Sequence, residues 1–485
     1  MLYDFFILVA PWIEPFLLIY FSLVNLIYAL LLIGGTVKIY QRKKELSVED
    51  YTNILGSESL PEITLLVPAY NESESIISVV KNLLRLGYRY KQVLVVNDGS
   101  TDDTLKLLQD EFQLAPIGML YNEILTSKLI KGIYRSTSFP ELIVVDKENG
   151  EKYDALNAGL NICKTPYFIT IDADTFIDDE GFEALIRPLL SNQSIIAVGA
   201  SVRIGNGCEL DYNRIVVTPN FPENYTIAMQ ANEYHRTFIM RIGWDYMGGN
   251  FGMSGAFSVF KTDSVVAVGG FAPTFSNDLE IILRLHRVMR EAKTPYQIIH
   301  IPDPVAWTQG PVTLKRLGQQ RRWWQRGILD SIWFHKSLTF NPKFGWFGLV
   351  VFPFLVFGET FEHFVEIIAI LYAILGLYLQ IISVYYLFLL LALIWGFTII
   401  YTLSCLLIEE LSFRRYKYGK NMALLIFATL TEIFGYRQLS LLWRMQGTID
   451  FLKKISKIKA FSKLVNNKVK HAVEALKNRN KKYET

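Results

Sequence analysis

Tyr167-Phe168-Ile169-Thr170-Ile171-Asp172-Ala173-Asp174 reads as a buried strand that ends in two acids. The run is short, apolar and rich in aromatic and β-branched residues, which favours strand over helix. Side chains alternate across a strand. Asp172 and Asp174 therefore share one side of its end, and Ala173 takes the other. Two carboxylates on one side make a hard-oxygen site suited to Mg2+ or Mn2+. Acid pairs are also common in surface turns, so the surroundings must decide.

The surroundings repeat the pattern. Ile63–Val67 ends at Pro68, Val93–Val96 ends at Asn97-Asp98-Gly99-Ser100, and Leu142–Val145 ends at Asp146. Helical stretches lie between these runs, near Glu74–Leu86, Asp102–Gln113 and Tyr153–Cys163. Strands alternating with helices predict an α/β fold with a wound, mostly parallel sheet. Ligands of such sheets bind outside the carboxyl ends of the strands. Asp98, Asp146 and Asp172 stand at those ends, and the first strand reaches Asn71 and Glu72 just beyond its own.

The chain as a whole has two zones. Of 485 residues, 51% are hydrophobic and 20% charged, with a mean hydropathy of +0.24. This excludes a disordered tail protein and a small disulfide scaffold. It also argues against a uniformly buried transporter, because charge concentrates mid-chain. The net charge of +3 gives no reason to expect a nucleic acid partner. Cys163, Cys208 and Cys405 are far apart and form no CxxC pair, so neither a disulfide framework nor a zinc site follows.

Both ends are apolar. Phe16–Gly35 is 20 residues interrupted only by Ser22 and Asn25, enough for one helix to span a bilayer. Lys38, Arg42, Lys43 and Lys44 follow it, which places residue 40 in the cytoplasm. Leu2–Pro11 is too short to cross alone and reads as an interfacial piece or a distorted crossing. Val365–Leu411 fits two crossings with a turn near Gln380–Val384. Arg414, Arg415, Lys417 and Lys420 then return to the cytoplasm. Phe344–Phe357 and Asn421–Trp443 are less decided and read best as interfacial or re-entrant. From Lys453 onward, 11 Lys/Arg face 2 Asp/Glu. Ile455–Leu476 alternates apolar residues with lysine, which fits an amphipathic helix on anionic lipid or a solvated basic tail. The domains predicted are an anchor over 1–38, a cytoplasmic α/β domain over 39–340, interfacial and transmembrane helices over 341–450, and a basic cytoplasmic tail over 451–485. The expected location is the cell membrane, with several passes.

Further elements follow in order: Pro68-Ala69-Tyr70-Asn71-Glu72, Asp98, Lys152 opening Lys-Tyr-Asp-Ala-Leu-Asn-Ala-Gly, and Gly252-Met253-Ser254-Gly255-Ala256. Then come Gly269-Gly270-Phe271, Ser276-Asn277-Asp278 and Gln319-Gln320-Arg321-Arg322-Trp323. This ordered set resembles membrane-embedded glycosyltransferase family 2, which includes cellulose, hyaluronan, chitin and poly-N-acetylglucosamine synthases. The resembling motifs run from residue 64 to 323. An Asp-x-Asp pair is unspecific, whereas the ordered set ending in Gln-x-x-Arg-Trp is specific.

The resemblance implies a GT-A-like fold flanked by transmembrane and interfacial helices. It implies an inverting transferase that uses a UDP-sugar to elongate a β-linked polysaccharide at the cytoplasmic face, processively and coupled to export. Single-sugar transfer to a lipid acceptor is the alternative, and an inactive scaffold a distant third. Asp98 would contact the base, with Pro68, Ala69, Tyr70, Asn71 and Glu72 lining that pocket. Lys152, Asp172, Ala173, Asp174 and Arg322 would bind the nucleotide-sugar, and Asp174 and Asp172 would hold Mg2+ or Mn2+. Asp278 would be the general base, and it also stands where a helix N-cap would fall. The family reads Thr-Glu-Asp where this chain reads Ser276-Asn277-Asp278, which puts acceptor placement in question. Gln319, Trp323, Ser254 and Gly255 would bind the acceptor. Trp323 and Trp324 also suit a membrane-interface belt. The partners implied are the donor, a glycan or lipid acceptor and membrane lipid, with room for a small membrane or export subunit. A metal site at Glu359, Glu362, His363 and Glu366 is disfavoured against a polar face of an interfacial helix.

Overall fold

The computed structural model describes residues 2–48, 60–207, 209–210, 217–218, 224–413 and 419–484. Cys208, Arg414, Arg415 and Lys417 lie outside the described residues.

One helix, α1 (Leu2–Val48), leads into the α/β domain. There β1 (Ile63–Ala69), α2 (Ile76–Arg85), β2 (Lys91–Asn97), α3 (Thr104–Phe112) and β3 (Leu114–Pro116) come first. They are followed by β4 (Ile130–Ser136), β5 (Leu142–Lys147), α4 (Lys152–Ile162), β6 (Tyr167–Ile171), β7 (Phe176–Ile177) and α5 (Asp179–Ser191). Next are β8 (Ile195–Ile204), the short pair β9 (Glu209–Leu210) and β10 (Val217–Thr218), then α6 (Tyr225–Tyr246) and β11 (Phe257–Lys261). The domain closes with α7 (Thr262–Ala267), α8 (Asn277–Ala292), β12 (Gln297–Thr308) and α9 (Leu314–Phe334).

The main sheet runs β3-β4-β5-β2-β1-β6-β11-β8-β12-β7. Its centre, β5-β2-β1-β6, is parallel, as the alternation of elements predicts. The flanks are mixed: β11 lies antiparallel to both β6 and β8. The central strands are buried on both faces, so they read as continuous apolar runs. Leu65, Val67, Val93 and Val95 face one core with α2. Leu66, Leu94 and Val96 face the other with α4 and α8.

The apolar segments follow their composition. Phe6–Glu45 and Val384–Phe413 are each long and apolar enough to cross a membrane. Phe347–Thr360 and Glu362–Tyr378 form a bent pair, at 42°, that would make a third span. They comprise π-helical turns over Phe347–Val351 and Phe354–Thr360, then α10 (Glu362–Tyr378), α11 (Val384–Leu391) and α12 (Phe397–Phe413). The break after α10 passes through Gln380 at φ 56°, where the turn is expected. Leu2–Pro11 is no separate piece. It belongs to α1, which runs on through Pro11 and Pro15. α1 crosses α6 at close range because Gly243 has no side chain: a Cβ there would stand 2.2 Å from the Leu31 carbonyl oxygen.

α13 (Gly419–Thr431), α14 (Tyr436–Lys453) and α15 (Ile455–Glu484) complete the chain. α15 differs from the expected lipid-bound or solvated tail. Its apolar stripe, Ile458, Val465, Val469, Ala472 and Val473, is buried in the same core as α8. Lys468 Nζ donates to the Gly269 carbonyl at 2.7 Å, and Arg287 of α8 donates to Asn466 at 2.7 Å. An apolar stripe at helical spacing seeks any apolar surface, and here protein supplies it.

Candidate active site

The carboxyl ends of β1, β2, β5 and β6 meet on one side of the sheet. Asp98 follows β2. Its Oδ1 accepts from Lys147 Nζ and from the Gly150 backbone N–H at 3.0 Å. Asn149 donates to the Asp98 carbonyl at 2.9 Å. The chain can turn this tightly because Gly99 sits at φ 66°, where a Cβ would strike Asn149 N at 2.6 Å. Burial pushes the Asp98 carboxyl up, and Lys147 offsets part of that rise. Beyond β1, Asn71 adopts φ 57°, a conformation asparagine tolerates. Its Oδ1 accepts from Thr101 N at 2.8 Å, and its own N–H donates to Ser100 at 3.0 Å. The Glu72 N–H donates to Thr104 at 2.9 Å. These bonds tie the segment 68–72 to the loop after Asp98.

Asp172 and Asp174 follow β6. Lys152, the first residue of α4, forms an ion pair with Asp172 and donates to the Gly255 carbonyl at 3.3 Å. Asp174 Oδ1 accepts from the hydroxyls of Thr308 at 3.2 Å and Thr175 at 3.3 Å. Burial, reinforced by Asp172 and Glu72, pushes the Asp174 carboxyl up to about 7. This excess of negative charge fits a divalent cation. Among the described residues no three His, Cys, Asp or Glu side chains gather as one ligand set. The protein offers this carboxylate pair, and a bound ion would complete its shell from water and donor phosphate.

Asp278 is the second residue of α8, and its neighbour Ser276 takes the N-cap position. The cap expected of Asp278 therefore falls two residues earlier, on Ser276. A Cβ on Gly255 would stand 3.3 Å from Asp278 Oδ2 and 3.6 Å from Lys152 Nζ. The bare backbone at Gly255 thus lets base candidate and lysine approach the same spot. Burial pushes Asp278 up, against the pull of Lys152 and Arg241. Ser254 lies one residue away, in a turn that bridges to Phe257.

α9 carries the last motif. Trp323 is half-exposed and stacks on Phe275 with ring centroids 6.0 Å apart and planes 3° from parallel. Phe275 precedes Asp278 by three residues in the chain. Gln319 is exposed. Arg322 is committed elsewhere, donating to Asp450 of α14 at 2.7 Å. Arg321 is buried, pairs with Glu233 of α6 and covers the Trp324 ring at 4.3 Å. The structure thus brings Asp172, Asp174, Lys152, Gly255 and Asp278 together, with Asp98 at the neighbouring strand end. It holds Arg322 on α14.

The sequence profile described as glycosyl transferase family 2 matches residues 64–257. That described as glycosyl transferase family group 2 matches residues 167–403. Together they take in every motif above.

The chain carries a glycosyltransferase family 2 domain.

The glycosyltransferase is 26% identical over 305 residues to poly-beta-1,6-N-acetyl-D-glucosamine synthase of Staphylococcus aureus, a match covering 61% of each chain. It is also 26% identical over 278 residues to the synthase of that name from Staphylococcus epidermidis, covering 56% of each. The chain thus spans about three-fifths of the length of these curated relatives. Among solved structures, a mannosyltransferase from Pyrobaculum calidifontis in complex with GDP-Man and Mn2+ aligns with a TM-score of 0.46 and 16% identity. That alignment covers 88% of this chain and 99% of that one. S. aureus TarS 1-349 in complex with UDP-GlcNAc aligns at 0.35 and 14% identity, covering 78% and 92%.

Arg241 is a site residue that sequence reasoning missed. It projects from α6 across Gly252, where a Cβ would lie 2.9 Å from its Nε, and it rests on Phe238 at 5.2 Å. No motif surrounds it in the sequence, and the glycine that admits it is eleven residues away. The acids at 359–366 are no metal site among the described residues. Glu366 is forked by Arg437 of α14, with one arm at 2.9 Å.

Proposed function

We propose that the glycosyltransferase is an inverting enzyme that extends a β-linked polysaccharide from a UDP-sugar at the cytoplasmic face of a membrane, processively and coupled to export. The observation that carries this reading is the meeting of Asp278, Lys152 and Asp172 around the bare backbone of Gly255. It offers one base facing one donor site.

Asp98 and the segment Pro68, Ala69, Tyr70, Asn71 and Glu72 hold the nucleoside. Asp174 and Asp172 would hold Mg2+ or Mn2+, which neutralises charge on the departing diphosphate when bound. Lys152 adds a fixed positive charge beside it. The strand stops at Ile171, so the two acids are spaced by a turn closed from Thr175 N–H to the Asp172 carbonyl rather than by strand alternation, with Ala173 of that turn buried in the core. Asp278 takes the proton from the acceptor hydroxyl as that oxygen bonds to the sugar C1 and the bond from C1 to the diphosphate oxygen breaks. Such a base contributes about 10²–10⁴-fold. Trp323 supports the acceptor ring, with Gln319, Ser254 and Gly255 around it. Arg322 reaches the diphosphate once released from Asp450. Glu359, Glu362, Arg437 and Arg444 would line the way out, since intramembrane charges mark transport paths. The similar synthases make UDP-N-acetylglucosamine the first donor to try.

The test is turnover with a panel of radiolabelled UDP-sugars in membranes, with Mg2+ or Mn2+, and sizing of the product. High-mass material from one donor supports the reading. A single sugar on a lipid replaces it with the non-processive alternative. Binding of donor without transfer would favour a scaffold or a missing export subunit.

A further inference from the structure

Lys147 is the last residue of β5, and its side chain is fully buried. Its ammonium has three N–H groups and three acceptors. These are Asp98 Oδ1, Asp154 Oδ1 at 2.6 Å and the Glu148 carbonyl at 2.7 Å. No donor is left over for a ligand. Asp154 is itself held, accepting from the Lys128 backbone N–H at 3.0 Å. The Asp98 carboxylate is therefore bonded on one side only. Lys147 and the Gly150 N–H both land on Oδ1. Oδ2 has no partner among the described residues, and it is not sealed from solvent.

We propose that Lys147 is the positioning residue that makes the base pocket selective: it holds Asp98 as an ionised, one-sided acceptor for a base that presents a ring N–H. This rests on the reading of Asp98 as the base contact. Uracil offers N3–H to such an oxygen. Cytosine offers a bare N3 lone pair at the same ring position, and two acceptors facing each other repel. A charged acceptor strengthens the favourable bond and sharpens the unfavourable one. Without the ammonium, Asp98 and Asp154 would be buried acids with no cation between them. One would take up a proton. A protonated Asp98 donates as well as accepts, so cytosine becomes admissible. The lysine thus acts on the ligand entirely through its neighbour.

The experiment titrates UDP and CDP separately into the full-length protein in detergent micelles with Mn2+, by calorimetry. Wild type should prefer UDP. Lys147→Gln keeps a donor but removes the charge, and should lower the UDP-to-CDP preference by about tenfold or more. Lys147→Arg restores the charge and should restore the preference. Where Lys147→Gln lowers the unfolding midpoint, the double variant Lys147→Met/Asp154→Asn removes the stranded second acid and should give the same loss of preference. An unchanged ratio in these variants, with the ratio lost in Asp98→Asn, overturns the role of Lys147 alone. An unchanged ratio in Asp98→Asn, or no preference in wild type, overturns the assignment of Asp98 to the base as well.

Discussion

Glu409, Glu432 and Glu366 each receive both arms of an arginine. Arg203 of β8 forks Glu409 of α12 at 2.9 and 2.6 Å, Arg236 of α6 forks Glu432 at 2.7 and 2.8 Å, and Arg437 forks Glu366. Among the described residues, Asp172, Asp174 and Asp278 receive no arginine fork. Around Gly255 they share Lys152, with Arg241 acting on Asp278, and burial pushes Asp174 and Asp278 up. The forks at Glu409 and Glu432 join the α/β domain to the C-terminal helices and the fork at Glu366 joins α10 to α14, whereas Asp172 and Asp174 follow β6 and Asp278 opens α8. A bidentate pair satisfies a carboxylate completely and leaves it nothing further to bind. An acid short of partners remains available to a proton, a metal or a hydroxyl. The same residue type is therefore fastening in one region and reagent in the other.

The largest effects should separate the two regions most cleanly. Asp278→Asn should lower sugar transfer by about 10²–10⁴-fold while UDP titration and the thermal midpoint stay near wild type. A fall in both together would move Asp278 into the fastening class. Arg203→Met should do the reverse. It strands Glu409 where both side chains are 3% exposed, so chemical or thermal unfolding should show a loss of about 3–5 kcal/mol. UDP affinity of the remaining folded protein should be unchanged.

Asp174→Asn sharpens the comparison through pH. The folded carboxyl sits at about 7 against an ordinary 3.8. It holds its proton more tightly folded than unfolded, so its ionisation costs stability as pH rises from near the lower value through the upper. Without metal, Asp174→Asn should therefore melt higher than wild type at pH 8 and lose that advantage at pH 4. Wild type should gain stability from Mn2+ at pH 8, and the variant should gain less. The smallest effect belongs to Trp323→Ala. Loss of a stacking face is worth about 0.5–1.5 kcal/mol, so acceptor KM should rise up to roughly tenfold while donor affinity holds.

The site was legible where chemistry and local pattern coincide. β6 spans Tyr167–Ile171 as read, because an apolar run cut off by two acids marks both a strand and its end. Lys152, which opens α4, was marked only by the family resemblance, whereas Asp98 stood out for the same reason. Lys147 did not, since a lysine closing an apolar run looks like a surface residue until two acids converge on it. Arg322 could be recognised by motif, but its bond to Asp450 joins two helices whose pairing no local signal announces. The seat of α15 was equally hidden. The stripe Ile458–Val473 is the same whether the apolar partner is lipid or protein, and only the completed α8 surface decides between them.

That seat sets an order of events. α15 follows every apolar helix in the chain, yet it completes the core beneath α8, the helix that carries Asp278. During synthesis the earlier parts of a chain emerge and begin to fold first. Here the helix bearing Asp278 gains its packing against α15 only after the apolar segments have been made. A chain still on the ribosome would hold Asp278 without this backing, and so the site is completed only after the apolar helices have been made.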